Sequence, residues 1–175
     1  MKKNICRVLI LLITIGSCLG CNLFWYRYVN KELMFSIELP LAWYKEKGML
    51  GSVIAARESP QGKNDTFQEN INVMVSPVPE KMDLLTFFEI NKDDAFKAII
   101  GEEFDIQEGE MLTASRDLGR WIQFSFEADT VTLRAFSAIW VKEHRAYVVT
   151  ATSEATQFDR YKPLFLRAVR SLEIF

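Results

Sequence analysis

Few side chains in this sequence have both the type and the spacing for chemistry. The three cysteines are Cys6, Cys18 and Cys21, all near the N-terminus, and the last two stand three residues apart at the end of the apolar stretch LLITIGSCLGCN. A thiol can be acylated, oxidised or metallated, but with no cysteine after Cys21 the rest of the chain can form neither a disulfide nor a cysteine metal site. His144 is the single histidine. A general base needs a proton donor in reach and a group that orients it. Glu143 and Arg145 beside it read instead as a solvated hairpin turn. Glu102, Glu103, Asp105, Glu108 and Glu110 offer hard oxygen ligands for a divalent cation, yet lack the fixed spacing and turn glycine of a calcium loop. A charged solvent face is the expectation there. Trp43, Trp121 and Trp140 are expected in the core. No Gly-rich phosphate loop and no G-x-S-x-G occur. Catalytic and metal-ligating residues are therefore none, no cofactor is expected, and any ligand-binding residues stay unknown.

The cysteines take their meaning from the segment before them. Lys2, Lys3 and Arg7 precede an uncharged, mostly apolar run from Val8 to Ile15. Such a run makes a helix of about 12–15 Å, too short for ~30 Å of hydrocarbon, so it reads as a secretory signal. Ile15-Gly16-Ser17-Cys18 resembles the lipobox of bacterial lipoproteins: an aliphatic residue, two small residues and a cysteine. Cys18-Leu19-Gly20-Cys21 resembles it less well. The resemblance implies a diacylglyceryl group on the cysteine thiol, cleavage just before it and acylation of the new amine. Residues 1–17 are then the signal peptide (alternative end 20), Cys18 is the lipidated residue (alternative Cys21), and residues 18–25 form a tether. Several acyl chains hold a protein firmly where one does not. In the enterobacterial sorting scheme an aspartate after that cysteine retains the protein in the inner membrane. Leu19 or Asn22 stands there, which implies the outer membrane and an extracytoplasmic domain.

Residues 26–175 are expected to form one domain. The signal segment removes three of the 21 basic residues and no acid, leaving 18 basic against 23 acidic side chains. A net charge of −5 without a basic stripe argues against nucleic acid as a partner. Phe24, Trp25, Tyr26 and Tyr28 are compatible with an aromatic belt at a lipid interface. A first strand at residues 26–29 is the favoured reading. Period-2 alternation predicts strands at 34–39, 70–76, 109–115 and, most clearly, 120–128, where Ile122, Phe124 and Phe126 read as core. A short apolar run at 52–57 and a hairpin of 130–142 with 145–152 complete the strands. Helical spacing predicts residues 82–100, with Asp83 as N-cap and a break near Asn91 where Asp93 caps a second piece. A last helix is predicted at 157–171, with Pro163 in its first turn or as a kink. The order is an α+β domain with a mostly antiparallel sheet and helices on its faces.

FSIELPLAWY, residues 35–44, is similar to the F-x-I-x-x-P-x-x-W signature of PsbP-like and DcrB-like domains. NINVMV at 70–75 and the closing segment at 146–174 also resemble that family, and Ala42 replaces its usual glycine. The resemblance covers about residues 26–175. It implies a central antiparallel β-sheet flanked by helices, as in the extrinsic PsbP protein of photosystem II, in bacterial envelope lipoproteins and in a Ran-binding nuclear import factor. It further implies a binding or assembly module for an envelope protein partner rather than an enzyme. A small-ligand carrier or weak hydrolase, with a pocket between sheet and helices, is the alternative.

Overall fold

A computed structural model describes residues 24–62, 65, 67–99 and 106–175. The three cysteines, the signal segment and Glu102, Glu103 and Asp105 lie outside these. Strands β1 (Trp25–Asn30) and β2 (Phe35–Pro40) form a hairpin joined by the two-residue β10 (Glu173–Ile174) in the order β1-β2-β10. A larger sheet runs β3-β4-β5-β9-β8-β7-β6, from β3 (Tyr44–Glu46), β4 (Ile54–Arg57), β5 (Asn70–Pro77), β6 (Gln107–Leu112), β7 (Leu118–Ala128), β8 (Val131–Lys142) and β9 (Arg145–Glu154). Every pairing is antiparallel. Helix α1 (Leu84–Ile99) and helix α2 (Phe158–Arg170) lie on opposite faces of the larger sheet. Among the described residues no helix is long and apolar enough to cross a membrane.

The turns carry the backbone geometry that their residues suggest. Lys142 pairs with Arg145, and Glu143 and His144 between them have φ of 47° and 60°. Two positive φ values in a two-residue loop match the right-handed strand twist. His144 is exposed, a turn residue as expected. Asp83 receives the Thr86 N–H at 2.7 Å, which is the anticipated N-cap. The expected break in α1 is absent: Asn91 donates to the Phe87 carbonyl at 2.7 Å and so bonds back within one continuous helix. Pro163 sits inside α2 on its exposed side, where water can solvate the Asp159 carbonyl that proline leaves without a donor.

The main core lies between the inner face of the larger sheet, α2 and the β1-β2 hairpin. Phe158, Tyr161, Phe165, Ala168 and Val169 form the buried stripe of α2. They meet Trp43, Ile71, Trp140, Tyr147 and Val149. Trp43 and Trp140 are core, as expected, while Trp121 is only partly buried. The outer face is thinner, since α1 covers Ile122 and Ile139 chiefly through Phe88. Phe124 and Phe126 are therefore half-buried rather than core, while Gln123, on the opposite face of the strand between Ile122 and Phe124, is buried at 3% exposure. Leu85, placed by spacing on the packed side of α1, is exposed.

Candidate functional site: a groove between helix α2 and the edge strand

Strand β6 ends the larger sheet, and among the described residues no strand pairs with its outer side. An open edge is a row of backbone donors and acceptors available to another chain. Beside it α2 no longer covers the inner face, which leaves a groove of about 190 Å³. Its floor is Trp121 and Gln123 of β7 with Phe136 of β8, and Lys162, Leu166 and Arg170 of α2 form one wall. The last three recur every four residues, so they line one side of the helix. Trp121 stacks on Phe136 with centroids 5.2 Å apart. It lies against Gly109 of β6, where a Cβ would stand 2.9 Å from Trp121 Nε1. Glycine at that position lets the indole lie flat up to the edge strand.

The polar groups of the groove are unequal. Gln123 Oε1 is buried and has no hydrogen-bond partner. An orphaned acceptor of this kind costs roughly 1–3 kcal/mol. No ion pair involves Lys162 or Arg170 among the described residues. Glu108 and Glu110, offered by the sequence as cation ligands, face salt-bridge partners instead. Glu108 meets Lys92 at 3.2 Å and Arg120 at 3.7 Å, and Glu110 meets Arg120 at 3.6 Å. Among the described residues no histidine, cysteine or carboxylate cluster could hold a metal.

Three other places were candidates for chemistry. Ser115, Asp117 and Lys142 meet as a hydroxyl, an acid and an amine. Ser115 Oγ donates to Asp117 Oδ2 at 2.5 Å and accepts the Ile174 N–H at 3.0 Å. Lys142 Nζ bridges Asp117 Oδ1 at 2.9 Å and the Ile174 carbonyl at 3.0 Å. The hydroxyl is committed at both ends, and the cluster ties β10 to the β6–β7 turn. Burial pushes the Asp117 carboxyl up, but bonds from Ser115 and Lys142 and the Lys142 charge outweigh it and hold the group below the usual carboxylate range. A depressed folded value stabilises above the unfolded value of about 3.9 and is lost as pH falls through the folded one. Asp117→Asn should therefore cost about 0.5–1.5 kcal/mol at neutral pH. The difference should vanish in thermal melts at the acid end of the titration.

Around Tyr161 the groups are acidic. Its hydroxyl donates to Glu58 and accepts from Gln61 Nε2 at 2.7 Å. Burial, then the Glu58 bond, raises the phenol above its ordinary value. Glu69 is raised by burial and by nearby Glu58, Asp65 and Glu154. The third place is a cavity of about 180 Å³ under α1, between Phe88, Ile122, Phe124, Ile139 and the bonded pair Ser137–Thr150, 3.0 Å apart. It is smaller than the roughly 300–1,000 Å³ of small-molecule sites.

Sequence reasoning did not find the groove: of its lining it offered Glu110 as a cation ligand and expected Trp121 in the core, and it read Gln123 as the solvent side of an alternating strand. The signal was the excess: Trp121 and Gln123 are large for a solvent face, and Phe136 opposes Gln123 in register.

No family model matches the sequence, and no curated protein is similar to it in sequence. Solved structures are similar in fold. Cyanobacterial PsbP (CyanoP) from Synechocystis sp. PCC 6803 is 15% identical with a TM-score of 0.63, over 92% of this chain and 99% of that one. LpqN of Mycobacterium tuberculosis, described as involved in cell envelope biogenesis, is 10% identical with a TM-score of 0.62, over 86% and 90%. The Saccharomyces cerevisiae Ran-binding protein Mog1p is 12% identical with a TM-score of 0.59, over 87% and 96%. The chain has the PsbP-like α+β fold, a mostly antiparallel β-sheet flanked by two helices.

Proposed function

We propose that this protein is a lipid-anchored module of the cell envelope, without catalysis, that holds an extended segment of a partner protein in the groove between α2 and β6. The edge of β6 that is unpaired among the described residues, beside the stacked Trp121–Phe136 pair, carries the reading, because an added strand would bond to the one and lay side chains on the other. A segment pairing with β6 would present its backbone to the free edge and alternate side chains to the groove. Lys162 and Arg170 favour an acidic side chain there. The stacked Trp121–Phe136 pair and Leu166 supply the apolar anchor that interface centres use. Mog1p is called Ran-binding and LpqN is tied to envelope biogenesis, which agrees with a binding role on this fold.

The anchor is placed at Cys18, with Cys21 as the alternative and the outer membrane as the destination. Mass spectrometry of the mature N-terminus should find acyl groups there. In Cys18→Ala, loss of lipid supports Cys18 and retention moves the site to Cys21, while an unmodified N-terminus rejects the anchor.

Partner capture is tested on the anchored protein by crosslinking its neighbours in the membrane. Lys162→Glu combined with Arg170→Glu should lower recovery of the crosslinked partner roughly tenfold, the equivalent of losing about 1.4 kcal/mol. The melting temperature should fall only slightly, because among the described residues neither cation has an ion pair to lose, and what goes is the Lys162 contact over the Phe158 ring and the favourable charge of Arg170 in the last turn of α2. Undiminished recovery would reject the groove as the docking site. Undiminished recovery together with a small molecule retained by the purified protein in native mass spectrometry would favour the small-ligand or carrier alternative.

A further inference from the structure

We infer that the end of the small sheet from which the chain emerges is a foot that rests on the lipid bilayer. Phe24, Tyr26, Leu41 and Tyr44 are exposed by 73%, 42%, 53% and 60%. They form a connected group. Leu41 N–H donates to the Phe24 carbonyl at 2.7 Å, and Lys45 Nζ lies over the Tyr26 ring and bonds the Leu41 carbonyl at 2.7 Å. Arg57 lies 6.0 Å over the ring of Tyr44. The strand and belt readings of this aromatic run are therefore not exclusive. β1 forms, Tyr28 turns into the core, and Phe24 and Tyr26 remain outside.

The composition fits the boundary between headgroups and hydrocarbon. Tyrosine rings with polar tips and flanking cations settle at that depth, and leucine and phenylalanine enter more deeply. The turn that presents Leu41 is held in place. Lys45 Nζ donates to the carbonyls of Pro40, Leu41 and Trp43, at 2.5, 2.7 and 2.6 Å. Little ordering is left to be lost on contact with a membrane.

Chain length decides what covers this patch. The inference rests on the proposed lipid anchor: Cys21 lies three residues before Phe24 and Cys18 six. At about 3.3–3.6 Å per residue even a fully extended tether keeps Phe24 within ~10–22 Å of the acylated cysteine. The patch surrounds the point where the tether joins the fold, so it is the first surface to meet the bilayer. The groove beside β6 is built from other elements and stays free for a partner.

The test uses the full-length protein purified from membranes. It is reconstituted into vesicles of phosphatidylethanolamine and phosphatidylglycerol doped with a diazirine-bearing phosphatidylcholine. Acylation is read by mass spectrometry, attachment by flotation, and contact by mapping the photolabelled peptides. Labels should concentrate on residues 24–26 and 41–44. Leu41→Ser with Tyr44→Ser should cut that labelling roughly tenfold, since burying such side chains contributes more than one tenfold step. Flotation, acylation and melting temperature should not change. Leu85→Ser on α1, equally exposed, should change nothing. Even labelling of the whole surface, or labelling centred on α1 or α2, in an acylated and floating protein overturns the foot and leaves the anchor standing. A protein that carries no acyl group and does not float overturns both.

Discussion

Phe165→Ala is expected to destabilise the domain by about 3–5 kcal/mol, a large part of the ~5–15 kcal/mol that holds a domain folded. Phe165 is fully buried in the middle of α2. Its ring packs edge-on to Trp43 at 6.5 Å and lies 6.0 Å from Phe158 and 5.9 Å from Tyr161. Truncation removes the ring around which the other three aromatics are arranged, and neighbours on a sheet and a helix cannot collapse into the space. Phe124→Ala should cost less, about 1–2 kcal/mol. Phe124 is half-buried beside the cavity under α1, so part of its surface is already unpacked. Denaturant unfolding of the two variants, compared at equal slope, measures the difference. Equal losses would mean that the α1 layer holds the fold as firmly as the α2 layer.

Gly119→Val should also destabilise strongly, through overlap rather than a cavity. A Cβ on Gly119 would lie 2.5 Å from Cε2 and 2.6 Å from Cδ1 of Trp140. Trp140 is fully buried in β8, near the centre of the larger sheet, and its indole cannot swing away without emptying the core. Overpacking of this kind costs roughly 1–3 kcal/mol and more where the backbone must shift. The glycine is needed for room, not for an unusual backbone angle. Its partner should reveal this: Trp140→Phe destabilises alone but partly rescues Gly119→Ala. The two changes are then non-additive by about 0.5–3 kcal/mol. Strict additivity in denaturant melts would show that the indole is not the obstacle.

Both predictions depend on which face of a strand is deeply covered, and alternation does not carry that. In β7 the pattern Ile122, Phe124, Phe126 marks one face correctly. That face receives the thinner cover of α1, while Trp121 and Gln123 point towards the main core and the groove. Period 2 reports that two faces differ; it does not report how much protein lies over each. Burial depends on elements distant in sequence. Lys162, Leu166 and Arg170 reach the floor residues Trp121 and Gln123 only because α2 folds back over β7 and β8.

The sequence by itself determined the α+β order, the hairpin turn at Glu143-His144, the N-cap at Asp83 and the amphipathic stripe of α2. Each is a local matter of period, backbone preference or one nearby hydrogen bond. It also holds the cysteine pattern at Cys18 and Cys21 on which the proposed anchor rests. Only the tertiary structure decided that β3 and the two-residue β10 exist. Strands that short are stabilised by the partners β4 and β2 rather than by their own residues. It alone decided that Ser115, Asp117 and Lys142 form a structural tie and that Gln123 is buried without a donor. Both facts require segments tens of residues apart to be brought together, and the long-range packing that does so leaves no periodic trace in the sequence.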